Sequence, residues 1–150
     1  MKYLLLSAVL CYAYAASIDE SKNLLKKELQ VFGKCMAEGN VTESAVESIF
    51  KKGEVPETNQ IKCLLACHMK GMGYLSDDGK MDWKKLDEIN KIEYVDPEHV
   101  KKALEVDAVC SKKVPQNLAN ACEVGYAVTK CFLDEAKKRN LPIIGPESAQ

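Results

Sequence analysis

Past its first sixteen residues, this 150-residue sequence has no apolar run approaching the roughly twenty residues that a membrane helix needs. It also lacks any stretch of alternating apolar and polar residues long enough to argue a strand, and it has no internal repeat, low-complexity tract or linker. Enzyme signatures are missing as well: there is no GxSxG elbow and no HExxH pair. The acidic stretch Asp77, Asp78, Gly79, Lys80, Met81, Asp82 lacks the alternating oxygen ligands and closing glutamate of an EF-hand, so it reads as a turn and helix cap. Asp134 and Glu135 are adjacent and diverge on a helix, which argues against a glycosidase dyad. Only two histidines occur, His68 and His99, and neither has the calcium-loop context of a secreted phospholipase. Both read as helix-surface residues. These absences leave a non-enzymatic protein with no cofactor and no metal.

What the sequence does have begins at its start. Lys2 precedes an apolar run from Tyr3 to Tyr12 and an Ala-x-Ala pattern at Ala13 to Ala15, which together make a secretory signal peptide, residues 1–16, cut after Ala15 or Ala16. The expected mature chain, residues 17–150, is secreted and extracellular. Its twenty basic and twenty-two acidic side chains are interspersed and give a formal charge of −2. Neither nucleic acid nor stable membrane insertion is favoured by that balance. Cleavage also removes Cys11, so that seven cysteines become six: Cys35, Cys63, Cys67, Cys110, Cys122 and Cys131. An even count in an exported chain implies a disulfide framework.

Apolar periodicity and capping residues divide the mature chain into about six helices in one domain. The first is expected over residues 18–36, where Leu25, Leu29, Phe32 and Met36 make one stripe. The second is expected over residues 42–51, with Ser44 and Glu47 spaced as a capping box. A third runs from Thr58 to a stop at Gly71, and Asp82 caps a fourth over residues 83–91. Asp96 and Pro97 open a fifth ending near Cys110, and the last extends from about Asn117 to Arg139.

Cys63 and Cys67 lie four apart on one helix face with roughly parallel side chains, so they should bond to two different partners. Cys122 and Cys131 are nine apart, on opposite sides of the last helix. Geometry leaves several pairings open. The segment Cys63, Leu64, Leu65, Ala66, Cys67, His68 has one residue too many for haem attachment, and in an oxidising compartment bridges use these thiols better than zinc does. Asn40, Val41 and Thr42 form an N-glycosylation sequon at Asn40.

The intervals between successive cysteines are 27, 3, 42, 11 and 8 residues. The last four of these, with the turn from Gly73 to Met81, resemble the six-cysteine insect odorant-binding and pheromone-binding proteins over essentially the whole mature chain. The resemblance implies an all-α fold, a compact bundle held by three interlocked disulfides around an apolar cavity. By order it implies the pairs Cys35 to Cys67, Cys63 to Cys122 and Cys110 to Cys131. It also implies a carrier of small apolar ligands such as odorants or pheromones, with a chemosensory receptor as a further partner and a monomer or weak homodimer as the working form. A same-fold carrier in saliva, venom or reproductive secretions is the alternative. A saposin-like membrane-active protein fits less well, because its closely spaced cysteines near both ends are absent here. By similarity, the wall residues expected are Trp83, Leu86, Ala103, Leu104, Val106, Val128 and Phe132, joined by Met69, Met72 and Tyr74 where the third helix turns toward the cavity. Polar help is expected from Tyr74, Tyr126 or Thr129. In the tail, residues 140–150, the apolar Leu141, Ile143 and Ile144 are expected to close the pocket.

Overall fold

Thr58, Asp82, Asp96 and Asn120 each stand just ahead of a helix, and each side-chain oxygen accepts a backbone N–H of the first turn. These caps meet donors that have no partner inside the helix. In the computed structural model, which describes residues 2–115 and 117–145, the helices in chain order are α1 (Lys2–Glu38), α2 (Glu43–Lys52), α3 (Asn59–Met72), α4 (Trp83–Glu93), α5 (Pro97–Lys113) and α6 (Ala121–Lys138). Among the described residues the only β contact is an isolated bridge between Leu75 and Met81, which closes the acidic turn.

Several helix ends differ from the sequence expectation. The first helix already begins at Lys2, because no glycine or proline interrupts the chain before Gly33. Ser44 and Glu47 form no capping box: Thr42 takes the cap position, Ser44 bonds to the Thr42 hydroxyl, and Glu47 pairs with Lys51. Gly71 does not stop α3. That helix ends at Gly73, whose φ of 87° is the left-handed conformation glycine adopts without strain, whereas Gly71 stays helical with Val31 packed on it. The fifth helix continues past Cys110 to Lys113, and the sixth starts at Ala121, where Asn120 provides the cap. Residues 146–150 of the expected tail lie outside the described residues.

The disulfides are Cys35–Cys67, Cys63–Cys122 and Cys110–Cys131, the order that the resemblance implies. They tie α1 to α3, α3 to α6 and α5 to α6. α6 packs chiefly on α3 and also on α5, while α1 crosses α3 and α4. The α3/α6 contact is close because Gly125 is buried against the Ala66 backbone, where a Cβ would come within 2.6 Å of the amide nitrogen. One part of the core joins Met72, Leu86, Val106 and Val128, and another gathers Cys35, Val46, Ile61 and Leu64 around the α1 end and α2. Beyond α6, the Leu141 amide donates to the Ala136 carbonyl at 3.0 Å and turns the chain back over the body.

Candidate functional site

Between α1, α3, α4 and α6 lies an apolar cavity of about 190 Å³. Leu25, Leu29 and Phe32 reach it from α1, and Ile49 and Phe50 from α2. The third helix contributes Leu65, His68 and Met69, followed by Tyr74, and α4 contributes Leu86, Asn90 and Glu93. Val128, Thr129, Phe132 and Leu133 face it from α6, and Ile143, Ile144 and Gly145 of the tail complete the wall. The Tyr94 hydroxyl donates to the Pro142 carbonyl at 3.0 Å and anchors the tail.

Of the residues expected on this wall, Met69, Tyr74, Leu86, Val128, Phe132, Ile143 and Ile144 are brought together there, as is Thr129. The others are placed elsewhere. Met72, Ala103 and Val106 are buried in the core on the far side of the wall, with Ala103 and Val106 at 0 % exposure because their face of α5 is filled by neighbouring helices. Trp83 is partly buried against that core and Leu104 is half-buried on α5, neither of them at the cavity. Leu141 is buried where the chain turns after α6 and borders a separate cleft beside Gly53 and Lys137. Tyr126 points outward, with the Lys62 ammonium 5.0 Å from its ring centroid.

His68 corrects a second expectation. It lies on the cavity wall rather than the surface, its ring edge-on to Phe32 at 5.6 Å between centroids, and burial pushes its pKa down to about 4. The acidic members of the wall were missed altogether. Glu28 sits three residues after Leu25 and four before Phe32, inside the apolar stripe of α1, and that placement was a readable signal. Glu93 likewise follows Leu86 by seven residues, on the same face of α4.

These carboxyls have unusual electrostatics. Burial pushes Glu28 up to about 7, with the exposed Lys27 opposing, and pushes Glu93 up to about 8 with Glu28 and Asp107 adding to the rise. Behind the wall, Asp107 is 2 % exposed and accepts a hydrogen bond from the Asn90 amide at 2.6 Å, while its Oδ1 has no partner. Burial pushes Asp107 up to about 7 against that hydrogen bond, and the Asp87 carboxyl adds to the rise. Among the described residues no group of three His, Cys, Asp or Glu side chains is assembled to hold a metal ion.

A carboxyl raised in the folded state binds its proton more tightly there than in the unfolded chain, so its stabilisation is lost as pH rises through the folded value. The depressed His68 works the other way, but only below its unfolded value of 6.5. From pH 6.5 to 8.5 the melting temperature should therefore fall, and Glu28→Gln with Glu93→Gln should flatten the decline. A melting temperature that rises over this interval in the unaltered protein would show that these carboxyls are not held protonated.

A helical shell, cross-linked by three disulfides and enclosing an apolar cavity, belongs to the class of small-ligand carriers. The chain belongs to the PBP/GOBP family, which it matches over residues 18–135. It is 34% identical over 141 residues to general odorant-binding protein 28a of Drosophila melanogaster, covering 92% of this chain and 95% of that protein. General odorant-binding protein 19d of the same fly is 25% identical over 142 residues, 93% of this chain and 92% of that protein. The solved structure of the Drosophila melanogaster odorant-binding protein 28a superimposes with a TM-score of 0.65 over 81% of this chain and 98% of that one, at 35% identity. Apis mellifera odorant binding protein 5 shares the fold, with a TM-score of 0.67 at 21% identity over 85% of this chain and 96% of that one.

Proposed function

We propose that the chain is exported by its leader, folds as residues 17–150, and carries small, mostly apolar molecules such as odorants or pheromones through extracellular fluid in the cavity between α1, α3, α4 and α6. The single observation that carries this reading is the apolar cavity itself, walled by Phe32, Met69, Val128 and Phe132 inside a disulfide-locked shell. Every residue of the wall, from Leu25 of α1 onward, lies within the retained residues. Cross-links that restrict the unfolded chain allow a hollow interior to persist despite the contacts a void forfeits. No bond need be made or broken. Among the described residues no helix is long and apolar enough to cross a membrane. The carrier works as a monomer or weak homodimer and delivers to a chemosensory receptor. Asn40, exposed past the end of α1, is open to glycosylation.

A cavity of about 150 Å³ takes benzene, so one of about 190 Å³ takes a compound of roughly eight to ten heavy atoms. Burying on the order of 300 Å² of apolar ligand surface contributes about 7.5 kcal/mol, from which ordering costs are subtracted. With one polar contact the dissociation constant falls near micromolar. Calorimetric titration with straight-chain alcohols should give affinity that rises with chain length and then drops once the cavity is full. Phe132→Ala should weaken binding by about tenfold, whereas Leu104→Ala, away from the wall, should not. Equal effects of the two, or no dependence on length, would mean that the cavity is not where ligand sits.

The tail reading rests on Ile143 and Ile144 in the wall and on the Tyr94 hydroxyl holding the Pro142 carbonyl. Truncation after Asn140 should raise the ligand dissociation rate several-fold in stopped-flow displacement while helix content stays nearly constant. Release at the original rate would show that the tail is wall without being a lid.

A further inference from the structure

We infer that the cavity prefers an apolar amine, whose ammonium group is held by the Glu28 and Glu93 carboxyls while the apolar wall encloses its hydrocarbon body; this deepens the carrier reading and rests on it. Glu28 reaches the cavity from α1 and Glu93 from α4, so two acidic groups from different helices converge on one apolar space. The Glu93 carboxyl lies on the wall, and among the described residues no hydrogen bond or ion pair reaches it; its backbone carbonyl is what accepts from the Ser21 hydroxyl. Asn90 lies on the same wall, its amide nitrogen committed to Asp107, which leaves its carbonyl oxygen to accept.

What these acceptors lack is a cation. Among the described residues no lysine or arginine lines the cavity. From α3 the facing base is His68, held neutral near pH 7 by burial, and Tyr74 follows it. Behind the wall, Asp107 of α5 adds to the rise of Glu93, and Asp87 of α4 in turn acts on Asp107. From α6 the facing polar group is the uncharged Thr129. On α1 the neighbouring Lys27 is exposed and points away from an apolar interior. An unpaired buried charge is costly, and it is tolerated when an opposite charge meets it. An alkylammonium entering here meets carboxyls that are themselves awaiting a partner. A neutral ligand of the same shape fills the apolar space and leaves the carboxyls protonated.

The proton balance follows. The amine arrives with its own proton, and carboxyls that are protonated in the empty cavity give theirs to solvent as the ion pair forms. Amine binding should therefore release protons near pH 6.5 and tighten from pH 6 to pH 8.5, while 1-octanol binding should do neither.

The test is titration calorimetry of the whole mature protein with n-octylamine and with 1-octanol, each of nine heavy atoms, in two buffers of different ionisation enthalpy. At pH 8 n-octylamine should bind at least tenfold more tightly than 1-octanol, with proton release at pH 6.5. Glu93→Gln and Glu28→Gln should bring the amine-to-alcohol affinity ratio toward one, while Glu88→Gln, an exposed change of equal charge on α4, should leave it as it was. Circular dichroism establishes that each variant is folded, and either glutamine variant that folds suffices. Octanol bound as tightly as the amine in the unaltered protein overturns the amine preference and leaves the carrier reading intact. Binding of neither compound overturns both.

Discussion

Gly125→Leu should lower the melting temperature by about 10 °C and weaken ligand binding. A side chain here starts with a Cβ 2.6 Å from the Ala66 amide nitrogen and 2.9 Å from its Cα, and backbone cannot swing aside as a side-chain tip can. Leucine gains roughly 0.8 kcal/mol of helix propensity over glycine. Overpacking a tight helix contact costs about 1 to 3 kcal/mol for small additions and more for a whole side chain. The clash wins, by about 3 kcal/mol, which for a domain of this size is roughly 10 °C. Binding suffers as well, because Leu65, His68 and Met69 of α3 face Val128, Thr129 and Phe132 of α6 across the cavity. Gly33→Ala is the internal control: α1 leaves open space there, and the same loss of backbone freedom should stabilise by up to about 1 kcal/mol. If Gly125→Leu melts with the parent protein, the α3/α6 contact is looser than described.

Removing the Cys63–Cys122 bridge by a paired change to serine is the second large effect. This bridge spans 59 residues, the longest separation of the three, and on the loop-entropy account it restrains the unfolded chain by about 4 kcal/mol. Against a typical total of about 5 to 15 kcal/mol, that is a large share of stability. The bridge also holds the start of α6 to α3, so its loss loosens the same contact that Gly125 makes close. The guanidinium midpoint of the double-serine protein should drop well below that of the parent, with ligand affinity falling in step. An unchanged midpoint would mean that the helices hold one another without the bridge and that the hollow core needs no such restraint.

Much of the fold was legible because it rests on local chemistry. Asp82 and Asp96 with Pro97 announce helix starts through side-chain acceptors and a fixed φ, and these starts stand where they were expected. The six-cysteine order led to the three pairs. Helix ends were less legible. Gly71 and Gly73 are alike in sequence, and only the packing of Val31 on the first and the positive φ of the second distinguish them. The cavity was half legible. Met69, Leu86, Val128 and Phe132 lie at helical spacing that marks an inward face, but Met72, Ala103 and Val106 share that pattern and are solid core. Periodicity shows that a face is buried, not whether atoms or empty space lie opposite.

By itself, then, the sequence determined an all-helical six-cysteine domain of a known family, because caps, periodicity and cysteine spacing act over a few residues or are read in order along the chain. Only the tertiary structure decided which buried faces meet across a void, that α1 rather than α5 completes the wall, and that Glu28, Glu93 and His68 share one low-dielectric space. The physical reason is that burial raises or lowers a titrating group according to everything around it, and residues 28, 68 and 93 become neighbours only when α1 crosses α3 and α4.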